Sequence, residues 1–539
     1  MTKRDGPGLG AALLGGLLLG VATPPADVPL GEWLVLPGLM VWFALATNGR
    51  RPLWHSYLFG CAHMAWFSWS VRQLLVPAYL SIVVLGGLYY LFATAAVRGA
   101  PKAWKVPAFA IAVAAAFWLR AEMPEIHYPH GQACHSLWQW PTLLRSVSIG
   151  GEPLANALLA LLAATALGVA RSWRVGVPGW RAAWLRFGGA IATFVAANVA
   201  GVLLAPGAGD GEPLRVVVVE PGIHPNDVRT ESAFVRAFRE RQVEPTVRAL
   251  AQDADVDLVV WPESALPEAY PVERLDGGVR ALGALARGSD ARLLAGALMQ
   301  SQAGRTPVTL SIDVATGRVI GYQGKRRLVP GGEFLPLLGL LPDVLADVVR
   351  DLQEQVLGGQ AAYVAGELRP PLETADGVKF GTLICYDNAF PTPSRELVAA
   401  GARLLVVLSN ETWFAGGGEL DQLVAMSVVR ALETATPLVR CTTDGWSVSI
   451  GADGRLLDQL ELRPAPQPAA RILRVSAPPG PGRAAPMAWL QRVLGPLAAC
   501  LAVLLAAHAA VRRVRLRSAR SAGPAAADSG TPDQSSGGS

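Results

Sequence analysis

The chain has 539 residues, of which 51% are hydrophobic and only 17% charged. Soluble domains carry about 25% charged residues, so the composition excludes an ordinary soluble enzyme and points to membrane-embedded segments. The net charge is only +5, with arginines scattered over loops and not interleaved with aromatics, which excludes a nucleic-acid-binding surface.

The N-terminus, MTKRDGPG, is short and basic, and the apolar run behind it has the form of a signal-peptide core. Further apolar segments follow in series, so this run is expected to remain as the first span. Seven spans are predicted, at 8–24, 30–47, 54–71, 77–97, 104–121, 152–171 and 184–206, most of them near the ~20 residues that cross a bilayer. Basic residues test that count. Arg50, Arg51, Arg98, Lys102, Lys105, Arg171, Arg174, Arg181 and Arg186 fall on one side, against Arg72, Arg120 and Arg145 on the other. The asymmetry places the N-terminus in the cytoplasm and residues after about 207 on the outer face. An eighth span, 486–511, returns inward and ends in RRVRLR. The loop 122–151 carries His127, His130 and His135 without a carboxylate or cysteine pattern to complete a metal site, so surface histidines and no metal are expected. The five cysteines lack CxxC spacing, which argues against a disulfide framework, although a Cys134–Cys441 pair is conceivable.

GAGDGEP, 207–213, is a hinge, and LRVVVVE, 214–220, opens a second domain as a buried strand. Strands follow at 257–261, 292–298, 308–323, 378–384, 403–409 and 437–450, with helices near 272–288, 393–401 and 420–434. This alternation fits an α/β sandwich. The predicted domains are a membrane domain at 1–206, a catalytic domain at 207–480, a transmembrane helix with a basic end at 481–517, and a Ser/Gly/Ala-rich disordered tail at 518–539.

Three stretches carry chemistry. VKFGTLICYDNAFP, 378–391, delivers Cys385 to the end of an apolar strand. LVVWPESALPE, 258–268, places Glu263 just past another strand. YQGKRRLVPGGEFLP, 322–336, carries Lys325 near a strand end and Glu333 in a Gly-rich loop. Glu263, Lys325 and Cys385 stand roughly 60 residues apart, room for several elements between strand ends that meet in one crevice. In such a crevice the ammonium lowers the thiol pKa, the carboxylate acts as general base, and Lys325 with a backbone N–H near Tyr386 stabilises an oxyanion. Arg326 and Arg327 have two open readings, pairing with lipid phosphate or a solvated face. The Leu-rich run at 334–349 is either an apolar arm bordering a lipid entrance or a core helix. Phe334, Trp413 and Phe414 are candidates to line an acyl pocket.

These blocks resemble the Glu–Lys–Cys triad of the nitrilase, or carbon–nitrogen hydrolase, superfamily. WPES, GK…LVP.GEF, ICYD, LSNETWF at 408–414 and RALE at 430–433 resemble its membrane branch, the apolipoprotein N-acyltransferases. The resemblance implies a multi-span α-helical membrane domain plus an α-β-β-α sandwich. It implies catalytic Glu263, Lys325 and Cys385, supported by Glu333, Tyr386 and Asp387, with no cofactor. The implied donor is a phospholipid, and the implied acceptor is a diacylated apolipoprotein. The implied setting is a monomer in the bacterial inner membrane, with its catalytic domain on the periplasmic face. Asp387 stands where the branch often has Glu, ELDQLVAM at 419–426 replaces a segment usually richer in His and Gln, and VEPGIHPNDVR at 219–229 lacks the usual Gln- and Lys/Trp-containing start. An amidase or thioester-forming hydrolase that releases its acyl group to water, and a non-catalytic lipid- or lipoprotein-binding homologue, remain as alternatives.

Overall fold

A computed structural model describes residues 7–24, 28–74, 76–175, 179–223, 228, 230–253, 255–266, 269–271, 289–357, 363–414, 418–460 and 469–521. The helix expected at 272–288 and most of the tail lie outside these residues. The N-terminal half runs α1 (Leu9–Val21), α2 (Val35–Asn48), α3 (Pro52–Phe67), a single turn α4 (Val71–Leu74), α5 (Val76–Gly99), α6 (Lys105–Glu122), α7 (Val147–Val175) and α8 (Trp180–Leu204). Every apolar stretch predicted to span is therefore helical. Among the described residues, five helices are long and apolar enough to cross a membrane: Val76–Gly99, Lys102–Glu122, Val147–Trp173, Trp180–Leu204 and Ala488–Arg512. Helices α1, α2 and α3 have 13, 14 and 16 residues. At 1.5 Å per residue they reach only about 20–24 Å, short of a ~30 Å hydrocarbon core.

The second half is built on strands β1 (Leu214–Glu220), β2 (Leu258–Val260), β3 (Ala269–Pro271), β4 (Arg292–Ser301), β5 (Gly304–Asp313), β6 (Val319–Gly324), β7 (Leu372–Glu373), β8 (Lys379–Ile384), β9 (Leu405–Ser409), β10 (Leu438–Thr442), β11 (Val448–Ile450), β12 (Leu456–Gln459) and β13 (Arg471–Ala477). They form two sheets, ordered β13-β1-β2-β4-β5-β6 with β3 beside β4, and β12-β11-β10-β9-β8-β7. Helices α9 (Glu231–Phe238), α10 (Glu244–Gln252), α11 (Asp343–Leu357), α12 (Pro391–Ala399), α13 (Glu419–Thr434) and α14 (Ala488–Ser521) complete the chain.

Strand periodicity explains the layering. In β1, Val216 and Val218 face the second sheet, packing with Val406, Leu408 and Val439. Their neighbours Val217 and Val219 turn outward to Phe238 and Leu250 of the helical layer. On the far side of the second sheet, Leu383, Leu405 and Val407 share one apolar core with Val424 and Val428 of α13. That core continues into the membrane helices through Phe117, Leu144, Leu159 and Ala499. The catalytic sandwich is thus fused to the bundle through its inner helical layer. Cys134 lies in this shared core and Cys441 between the sheets, both as free thiols, so the conceivable Cys134–Cys441 disulfide is absent.

Candidate active site

Strand β8 is buried from Phe380 to Ile384 and leads straight into Cys385, whose φ of +47° is a left-handed conformation rarely adopted by a β-carbon residue. The turn Cys385–Ala389 follows, and Pro391 starts α12, where its missing N–H costs nothing. Asp387 holds that turn. Its Oδ2 accepts the Ile384 N–H at 3.2 Å, and its Oδ1 accepts the N–H groups of Arg326 at 3.0 Å and Arg327 at 2.7 Å. One carboxylate therefore clamps the Cys385 turn to the loop that bears Lys325.

Lys325 leaves the end of β6, fixed by its N–H to Pro307 O at 2.8 Å. Its Nζ is 3.0 Å from Glu263 Oε1 and 2.6 Å from Glu333 Oε1, and the residue is 1% exposed. The remaining oxygens are also used. Glu263 Oε2 accepts the Asn410 N–H at 3.1 Å, and Glu333 Oε2 accepts the Val329 N–H at 2.8 Å. The chain around Glu263 comes very close to β4, since a Cβ at Gly296 would lie 2.4 Å from Pro262 O and 2.6 Å from Glu263 Cα. Only glycine fits there.

Burial disfavours the Lys325 ammonium, but Glu263, Glu333 and Cys385 outweigh it and hold the lysine pKa well above its ordinary value. Burial also raises the Glu333 carboxyl despite Lys325 beside it, and pushes Asp387 up to about 6. The expected pull of Lys325 on the thiol is present, but other forces outweigh it. Lys325 pulls the Cys385 pKa down, yet burial and the nearby Glu263 charge push it up to about 12. Burial and Glu263 thus favour the protonated sulfur, so forming the thiolate calls for proton transfer to a neighbour.

Tyr386 donates its hydroxyl to His127 O at 3.1 Å, reaching the loop between α6 and α7. His127 donates Nε2–H to Leu328 O at 3.0 Å, and His130 donates Nδ1–H to Gln422 Oε1 at 2.8 Å. His135 lies 2.9 Å from Glu152. All three histidines expected at the surface are thus buried. The part of the loop that carries them packs inward, His127 and His130 against the catalytic domain and His135 against Glu152. Arg326 pairs with Glu396 at 2.5 Å and Arg327 with Glu122 at 3.1 Å, so both arginines are held by carboxylates in the fold.

Phe334 is half-buried, its ring 6.1 Å from the His127 ring, and Phe414 is half-buried in the turn Thr412–Phe414. The Trp413 side chain lies outside the described residues. After Glu333 the chain forms a turn, Leu338–Leu340, and the amphipathic helix α11. Leu340 is 79% exposed, Val344 76% and Val348 58%. The Leu-rich run is an exposed apolar arm, and the core-helix reading fails. No group of three or more potential metal ligands occurs among the described residues.

Sequence reading missed the contribution of the membrane domain: Glu122, His127 and Glu152 all contact the catalytic half. The one available signal is the 30-residue segment 122–151, rich in His and Trp.

Residues 229–464 match the carbon-nitrogen hydrolase family, and residues 15–165 match the apolipoprotein N-acyltransferase N-terminal domain. An apolipoprotein N-acyltransferase of Pseudomonas aeruginosa (strain LESB58) is 29% identical over 519 residues, covering 91% of this chain and 94% of that one. One from Brucella melitensis is 29% identical over 527 residues, covering 90% and 92%. The chain belongs to the apolipoprotein N-acyltransferase family. Membership of this family accounts for both halves: a helical membrane domain and a nitrilase-like α-β-β-α domain. Among solved structures, an amidase from Nesterenkonia sp. AN1 is 22% identical, covering 49% of this chain and 93% of that one with a TM-score of 0.34. Nit3 of Saccharomyces cerevisiae is 15% identical, covering 50% and 93% with a TM-score of 0.36.

Proposed function

We propose that this protein transfers an acyl chain from a phospholipid, through a thioester on Cys385, to the N-terminal amine of a diacylated apolipoprotein. The observation that carries the reading is the buried ammonium of Lys325 between two carboxylates, beside a thiol raised on a left-handed turn. Glu263 takes the Cys385 proton as sulfur attacks the ester carbonyl. Lys325 stabilises the oxyanion, and Glu333 keeps Lys325 charged and aimed. The C–O bond breaks, Glu263 returns the proton to the departing lysophospholipid oxygen, and a thioester remains. The acceptor amine then attacks that carbonyl and loses a proton to Glu263. The C–S bond breaks, and the sulfur recovers its proton as the amide forms. These roles need no metal or organic cofactor.

The exposed arm beside Glu333 suits lipid entry at the bilayer surface. The basic-residue asymmetry places the catalytic domain, about 207–480, on the periplasmic face of the inner membrane, with both termini cytoplasmic. The enzyme acts as a monomer. The test is incubation of the full-length protein with labelled phospholipid, with and without a diacylated lipopeptide. Label on the peptide amine is expected. Free fatty acid at the same rate with or without peptide would assign a hydrolase, and no covalent adduct would assign a binding protein.

A further inference from the structure

Arg430 of α13 is fully buried, and nothing in the proposed chemistry uses it. Its Nη1 donates to Ala389 O at 3.2 Å, the last residue of the Cys385 turn. Its Nη2 is 3.1 Å from Glu152 Oε1, and its Nε is 2.9 Å from Glu433 Oε2. One guanidinium thus joins the nucleophile turn to a membrane helix.

Glu152 is built to meet it. Helix α7 breaks at Gly151, where φ is +65° and ψ −169°, and Pro153 restarts it. A Cβ at Gly151 would lie 3.3 Å from Glu433 Oε1, so glycine serves both the conformation and the space. Glu152 also accepts from Gln132 Nε2 at 3.0 Å and lies 2.9 Å from His135 Nε2. Asn156 donates to Gln132 Oε1 at 2.7 Å, and Asn156 Oδ1 takes the Cys134 N–H at 2.9 Å. The outer loop, α7 and α13 therefore close a polar network around the arginine. On the other side, Asn388 donates to Leu423 O at 3.0 Å, so α13 grips the same turn twice.

We infer that Arg430 is a positioning residue: with Glu152 it forms a strut that sets the Cys385 turn against the membrane domain, so catalysis depends on a contact between the two domains. The inference rests on Cys385 being the nucleophile. A guanidinium spans three contacts at once, a hydrogen bond to Ala389 O and ion pairs with Glu152 and Glu433, which a single ammonium cannot. A misplaced nucleophile loses rate without losing substrate affinity.

The test compares full-length Arg430→Gln, Arg430→Lys and Glu152→Gln with wild type in lipid nanodiscs. Single-turnover formation of the acyl-protein from labelled phospholipid is followed. Glu152→Gln carries the result if the Arg430 variants do not reach the membrane. The expected outcome is a rate lowered about 10–100-fold at saturating donor, with KM within about twofold and unchanged burst amplitude. Arg430→Lys falls between Arg430→Gln and wild type, and combining Arg430→Gln with Glu152→Gln adds little. Wild-type rates in folded Arg430→Gln and Glu152→Gln would overturn the strut. So would a lowered amplitude at normal rate, which signals fewer folded molecules only. Cys385→Ala run in parallel separates the two readings: adduct in that variant refutes the nucleophile, not the strut.

Discussion

The crevice and the arm leave the same loop and obey opposite rules. At Lys325, Glu263 and Glu333, every side-chain oxygen has a partner and the ammonium is almost wholly buried. A few residues on, Leu340, Val344 and Val348 lie open to the surroundings. Fixed charges in a buried site cost no reorganisation when charge develops, which suits chemistry. An exposed apolar face suits a surrounding that is itself apolar, as the proposed lipid donor requires. Reaction and access are thus assigned to separate segments joined by about five residues.

Breaking the crevice has the largest effect. Cys385→Ala is expected to abolish acyl-enzyme formation, measured as covalent label from phospholipid. Glu263→Gln is expected to slow acylation about 10²–10⁴-fold. Because the Glu263 charge raises the thiol pKa, the same substitution makes Cys385 more acidic. A pH titration of alkylation would therefore show a lower thiol pKa in the slower enzyme. A thiol that titrates higher would reverse the role given to Glu263.

Damage to the arm is expected to separate binding from chemistry. Val344→Glu with Leu340→Glu places charge on the apolar face and raises KM for phospholipid about tenfold, leaving single-turnover kcat within about threefold. An equal fall in kcat would show that the arm reaches the reacting atoms.

The smallest effect concerns a carboxylate that lacks the compensation seen in the crevice. Glu419 is buried, and its Oε1 has no hydrogen-bond partner among the described residues. Burial pushes its pKa up to about 7. A carboxyl that titrates near 4.3 unfolded and higher when folded favours the native state below about pH 4, and that advantage is lost as pH rises through about 7. Glu419→Gln is therefore expected to raise stability at pH 8 by about 1–3 kcal/mol and to change little at pH 4. Equal melting shifts at both pH values would exclude this titration.

Much of this was readable in the chain. Strand runs such as VKFGTLI carry their own period and length, and each runs directly into the residue that matters: β8 into Cys385, β6 into Lys325. The arm is ambiguous in sequence because a Leu-rich helix has the same pattern whether its apolar face meets a core or a bilayer. The histidine loop defeats a local reading because polarity does not imply exposure. His127 and His130 are buried by a long-range contact with α13 and the Cys385 turn that local pattern does not encode. The net thiol pKa is hidden from sequence for a related reason. Spacing places a lysine near sulfur, but the desolvation and the second charge appear only once the crevice is built.

The most direct measurement is mass analysis of the Cys385 peptide after the purified protein meets a phospholipid of defined acyl chain. The prediction is an acyl mass on Cys385 that disappears when a diacylated lipopeptide is added and reappears as an amide on its terminal amine. Acyl mass on any other residue, or a Cys385 adduct that the lipopeptide leaves untouched, would contradict it.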